Sequence, residues 1–196
     1  MGWLDALLGR SSPVAPDLDA LFALPSAAVT LEAATGLQPT GTGAVCVKPA
    51  EGPAFARAHE EALALLRLDD AARVDELRDS FGFLWSTVRT APDRLADVVT
   101  ALHGANTSYG SAGFGPSLLC SGVGFAGDVE GRPRTVGLVY LYKRGTFYPF
   151  APVGPQQRDT ALELQLRGTL AADLPVETEL QRWFAVWDAP FLSPEG

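Results

Sequence analysis

The sequence is poor in the residues that most often hold metals or act as nucleophiles. Two histidines and two cysteines occur in 196 residues. Neither His59 nor His103 has a histidine or cysteine partner at metal-ligand spacing. No G-x-S-x-G, phosphate-binding P-loop or H-E-x-x-H occurs, so the commonest hydrolase, nucleotide and zinc-protease signatures are missing. These gaps predict a protein that is not an enzyme and carries no metal or cofactor.

Positive charge is also scarce. Fifteen Lys and Arg stand against 23 Asp and Glu, a net charge of −8. That field repels phosphate backbones, which argues against nucleic acid as a partner. Met1 to Arg10 lacks the basic start and long apolar stretch of an export signal. No apolar run approaches the roughly 20 residues of a membrane span. The expected location is the cytoplasm, with at most peripheral contact at the inner face of the membrane. Without an oxidising compartment, Cys46 and Cys120 read as free thiols in apolar strand-like runs.

Apolar residues make up 47% and charged residues 19%, which suits a folded core. Trp3, Leu4, Leu7 and Leu8 share one face of a short helix over residues 3–8, a candidate membrane or partner contact. A Ser- and Pro-rich linker ends this segment at residue 16. A helix is predicted from Leu18 to Leu24, stopped by Pro25. Residues 28–33 and 43–48 read as an antiparallel strand pair with a turn-rich stretch between them. A helix follows over 54–67.

The charge-dense stretch 69–79 reads as a solvated connector between two sub-halves, 17–68 and 80–196, of a single α+β domain. Beyond it come a strand at 81–89, a helix over 92–109 and a strand at 118–125. A hairpin loop at 127–133 leads to a strand at 135–143, and a helix spans 158–170. This order predicts an antiparallel sheet with helices packed on one face. A degenerate duplication fits the alternation, although no position-by-position repeat establishes it. The tail carries Trp183, Phe184 and Trp187, expected to pack back on the domain.

Gly122, Gly124 and Gly127 match G-x-G-x-x-G, but the acidic, turn-forming residues 128–133 follow where a helix N-terminus would have to meet a pyrophosphate. The glycines read instead as a bent strand feeding a hairpin. The most unusual segment is Leu138 to Pro152. Its Tyr140, Tyr142, Lys143, Arg144, Phe147, Tyr148 and Phe150 form either a core strand with an edge-covering extension or a partner-binding surface.

The opening Gly2 to Arg10, the stretches Leu18–Thr30, Ala112–Cys120 and Leu138–Pro152, and Ala161–Gly168 together resemble the actinobacterial PspAB family. Residues 81–141 also look like the YbjN and type III secretion-chaperone fold, with Asn106 and Gly113-Phe114-Gly115 at that fold's characteristic places. The first resemblance implies association with the membrane-stress protein PspA or the membrane protease HtpX, and supplies no catalytic residue. The second implies holding a partner peptide or pairing as a homodimer. The leading expectation is therefore a non-catalytic adaptor of an envelope-stress system. One alternative is a small-molecule or lipid-binding domain with the glycine-rich hairpin and Arg144 at the mouth of its pocket. The other is an enzyme using Cys46 or Cys120 beside His59 or His103.

Overall fold

A computed structural model describes residues 16–193. Six strands pair antiparallel in one sheet: β1 (Gln38–Val47), β2 (Arg73–Arg78), β3 (Leu84–Arg89), β4 (Leu118–Val129), β5 (Arg132–Leu141) and β6 (Thr146–Phe150). Their spatial order is β2-β3-β1-β4-β5-β6. Two short strands, β7 (Pro152–Gly154) and β8 (Gln157–Arg158), form a separate pair. Four helices accompany them: α1 (Leu24–Thr35), α2 (Pro53–Leu66), α3 (Leu95–Ser111) and α4 (Thr160–Leu170). The chain is thus an α+β fold, as its element order predicts.

The central strands bury both faces. In β5, Val136, Leu138 and Tyr140 join the helix-side core, while Val139 and Leu141 join a second cluster on the opposite face. In β1, Val45 and Val47 face the helices, and Ala44 and Cys46 face away. The period of two in a strand sorts neighbours to opposite faces, and covering both makes these strands read as continuous apolar runs. Asn106 of α3 is fully buried and ties helix to sheet. Its amide donates to the Leu102 carbonyl at 2.7 Å and to the Ser121 hydroxyl at 2.8 Å.

The first third differs from expectation. The expected helix is present as a 3-10 helix over Leu18–Ala23, but it runs straight into α1, so residues 28–33 are helical and Pro25 stands in the first turn of α1. Proline lacks only an amide that a first helical turn leaves unpaired, so it initiates here. Leu24, Ala27, Ala28 and Leu31 are buried on one face at helical spacing. By length and composition alone the run Leu18–Thr35 is apolar enough to cross a membrane, and Leu21, Leu24, Ala27, Ala28 and Leu31 bury one face of it in the core. Strand β1 reaches back to Gln38 through the expected turn residues, with a register shift between Pro39 and Gly43.

The charged stretch likewise differs. Residues 73–78 form edge strand β2, mostly exposed, paired with β3. Alternating charge suits an edge strand, where it discourages pairing with other chains. Because β1 lies between β3 and β4, residues before and after this stretch share one sheet.

The face away from the helices is covered by the chain after α4. Phe147 donates its amide to the Pro175 carbonyl at 2.9 Å, and the Glu177 amide donates back to the Phe147 carbonyl at 2.7 Å. Beyond that anchor, Trp183, Ala189, Phe191 and Leu192 bury themselves on the sheet. The Phe191 ring occupies the space that Cβ atoms on Gly122 and Gly137 would fill, and its carbonyl that of one on Gly124. Gly127 instead admits the backbone of Gly36. The G-x-G-x-x-G spacing thus lies within a strand and serves close packing. The hairpin turn is tight: Glu130 (φ 54°) and Gly131 (φ 76°) are both left-handed, as a two-residue hairpin turn requires.

A candidate binding site under the C-terminal segment

An apolar pocket of about 600 Å³ opens between the sheet and the segment 182–189. Its floor is made by five strands, through Trp85 of β3, Cys46 of β1, Cys120 of β4, Leu141 of β5 and Tyr148 of β6. Only β2 is left out of the floor, but the turn that follows it supplies a wall of Phe81 and Phe83. Asp79 shapes that turn. Its carboxylate accepts the amides of Phe81 and Phe83, each at 2.9 Å, and the Trp85 indole N–H at 3.0 Å. Phe184 to Ala189 form the opposite wall. Phe81 and Phe184 stand largely exposed at the opening, at 81% and 62%.

The rim carries both signs of charge, with Lys143, Arg144 and Arg182 against Asp188. Arg144 and Arg182 converge on Glu177, at 3.5 and 3.3 Å. Burial alone would push Glu177 up. The Glu179 amide, the Thr146 hydroxyl and the two arginines outweigh that and hold the carboxyl below its ordinary value. Glu177 also accepts the Trp183 indole N–H on its backbone carbonyl at 3.1 Å, so one residue fixes both the rim and the aromatic lining.

Cys46 and Cys120 are direct partners across β1 and β4, and both are buried free thiols. The Cys46 thiol is pushed up by its hydrogen bond with Cys120, then by burial and by nearby negative charge. Neither cysteine meets a histidine. His59 lies on the helix side, with Nδ1 2.6 Å from the Tyr109 hydroxyl and Nε2 2.5 Å from Glu76. Burial, and then the Glu76 charge, raises Tyr109. His103 sits in the middle of α3 and reaches Asp19 at 3.1 Å. The sheet separates both imidazoles from both thiols.

Of the segment singled out by sequence, only Lys143 and Arg144 reach solvent. Tyr140, Tyr142, Phe147, Tyr148 and Phe150 are core side chains rather than an exposed surface. Strands β5 and β6 are covered on both faces, so their aromatics divide between two cores. Tyr140, Tyr142 and Phe147 face the helices, and Tyr148 and Phe150 face the C-terminal segment. The Tyr140 hydroxyl donates to the Asp17 carbonyl at 2.8 Å, and the Tyr148 hydroxyl to that of Phe184 at 2.9 Å. Burial raises both phenols. Trp3, Leu4, Leu7 and Leu8 lie outside the described residues. Sequence reading passed over Asp79 and Glu177 because acidic residues default to solvation, and their partners are brought together only by the fold.

Taken together, the sheet, its helix layer and the pocket on its other face define a two-layer α+β protein with an apolar cleft walled on one side by its own C-terminal segment. The chain belongs to the PspAB family, PspA associated protein B, which it matches over residues 1–191. That membership links it to the phage-shock system. No curated protein and no solved structure matches the chain. The likeness of residues 81–141 to the YbjN and secretion-chaperone fold therefore carries no further argument.

Proposed function

We propose that this protein is a non-catalytic adaptor of the phage-shock system and that it holds PspA at the pocket under its C-terminal segment. The observation that carries this reading is the pocket itself. It has an apolar floor, two exposed phenylalanines at its opening and a rim of both charge signs. Buried apolar anchors ringed by polar groups are the usual build of a protein-binding hot spot. The test is titration of purified PspA against the full chain, the double variant Lys143→Glu/Arg144→Glu, Phe184→Ala, and a distant control, Val29→Lys, on the exposed face of α1. The rim and Phe184 variants should bind at least about tenfold more weakly, the loss of one hot-spot contact, and the control unchanged. Equal binding by all four would overturn the proposal.

A second reading, a small apolar molecule or lipid chain in the same cavity, is favoured by its volume, which falls within the roughly 300–1,000 Å³ typical of ligand sites. Native mass spectrometry of the protein from its own host would show an added mass that denaturation releases. A bare mass would remove this reading.

A further inference from the structure

We propose that in the free protein the pocket is filled by the chain's own N-terminal segment, with the stripe Trp3, Leu4, Leu7 and Leu8 seated on its apolar floor. This deepens the adaptor reading by placing an internal competitor at the same site.

Three observations point to this occupant. The first is where the described chain begins. The Asp17 carbonyl is held by the Tyr140 hydroxyl, and a Cβ on Gly145 would lie 3.5 Å from the Asp17 amide nitrogen. Gly145 directly follows Lys143 and Arg144, which line the pocket. The described chain therefore begins on the helix side of the sheet, at the same sheet end as Lys143 and Arg144 of the pocket's rim.

The second is reach. The eight residue steps from Pro16 back to Leu8 span up to about 27 Å when extended. That span exceeds the roughly 10 Å between packed layers, so it suffices to pass round the sheet's end to the pocket's face. A tether of this length presents its cargo at roughly millimolar effective concentration, so even a weak isolated contact would be substantially occupied.

The third is chemistry. The pocket offers aromatic and aliphatic walls under a rim of mixed sign, with Lys143, Arg144 and Arg182 set against Asp188 and the buried Glu177 beneath them. Glu177 already engages both arginines, which leaves little net positive field for a purely anionic amphiphile. The segment carries one anion, Asp5, and one cation, Arg10, alongside its four apolar side chains. A zwitterionic apolar peptide matches such a rim better than a fatty acid does.

The test compares nitrogen-15 spectra of the full chain and of the full-length double variant Leu4→Asp/Leu7→Asp, with no PspA present. The expected result is a change in the indole N–H signals of Trp85 and Trp187 and in the amides of Ala185 and Ala189. Signals of α2 should stay fixed, and the change should be independent of protein concentration. Unmoved pocket signals would overturn the proposal. So would a difference that disappears on dilution, which would mean that the segment of a second copy fills the pocket. Because PspA is absent from this measurement, a failed PspA titration leaves its outcome unaffected. Where PspA does bind, the same double variant should bind it several-fold more tightly than the unaltered chain, since the competitor has been removed.

Discussion

Arg158 grips Glu163 through its Nε, which donates to both carboxylate oxygens at 2.8 and 2.9 Å. Glu163 is almost wholly buried, at 1% exposure, and also accepts the Ala151 amide at 2.9 Å. The same guanidinium lies 4.9 Å over the Phe150 ring and donates to the Trp183 carbonyl at 2.9 Å. One side chain thus joins α4, the end of β6 and the segment that covers the pocket. Arg158→Ala leaves a buried carboxylate without its partner, which should cost about 3–5 kcal/mol. Urea unfolding measures it, and a loss under about 1 kcal/mol, the range of an exposed pair, would contradict this role.

Phe191 and Gly122 make a steric pair whose sign is easily tested. Gly122→Ala drives a methyl into the Phe191 ring and should destabilise by about 1–3 kcal/mol. Phe191→Ala removes a fully buried ring and should cost about 3–5 kcal/mol by itself. In the double variant the methyl has space, so the combined loss should fall short of the sum by about 1 kcal/mol or more. Additive losses would show that the glycine is not there for the ring.

The sheet and most of its helices are legible because their signals are local. The apolar period of α3, the run from Val136 to Leu141 and the turn chemistry near Gly131 each act over a few residues. Residues 28–33 misled because alanine, valine and threonine side by side resemble a strand. The helical spacing of Ala27, Ala28 and Leu31 shows only when counted through Pro25, which looks like a stop. The pocket was not legible at all. Its floor comes from five strands spread over residues 46 to 148, and Cys46 opposes Cys120 only through a register that depends on a bulge nearby. Arg144 does line a pocket, but the glycine-rich hairpin expected beside it does not, and the aromatics around it are core, since sequence cannot say that a segment will cover the second face.

Glu177 makes stability depend on pH in a stated direction. Its folded pKa lies below its ordinary value, so its contribution is fully present above the unfolded value of about 4.3. It is lost as pH falls through the folded pKa, where protonation releases Arg144 and Arg182. Glu177→Gln should therefore be less stable at pH 7, with the difference shrinking below about pH 4. Thermal unfolding across pH 3 to 7 checks this. A constant difference over that range would show that the charge is not what matters.

Cys46 and Cys120 face each other on the pocket floor, yet their position predicts inertness. The thiolate is the reactive form, and Cys46 is disfavoured as a thiolate by its bond with Cys120, by burial and by the charge of Asp79. Only 2% of Cys46 and 7% of Cys120 are exposed, so little of either residue is presented to a reagent that enters the pocket. Labelling with an aromatic disulfide at pH 8 should be slow in the native protein and should rise with urea in step with unfolding. If one thiol reacts at the native rate while the other follows unfolding, the segment opens locally, and the reactive residue marks where. Immediate labelling of both in the folded protein would show that burial and their mutual hydrogen bond do not protect them.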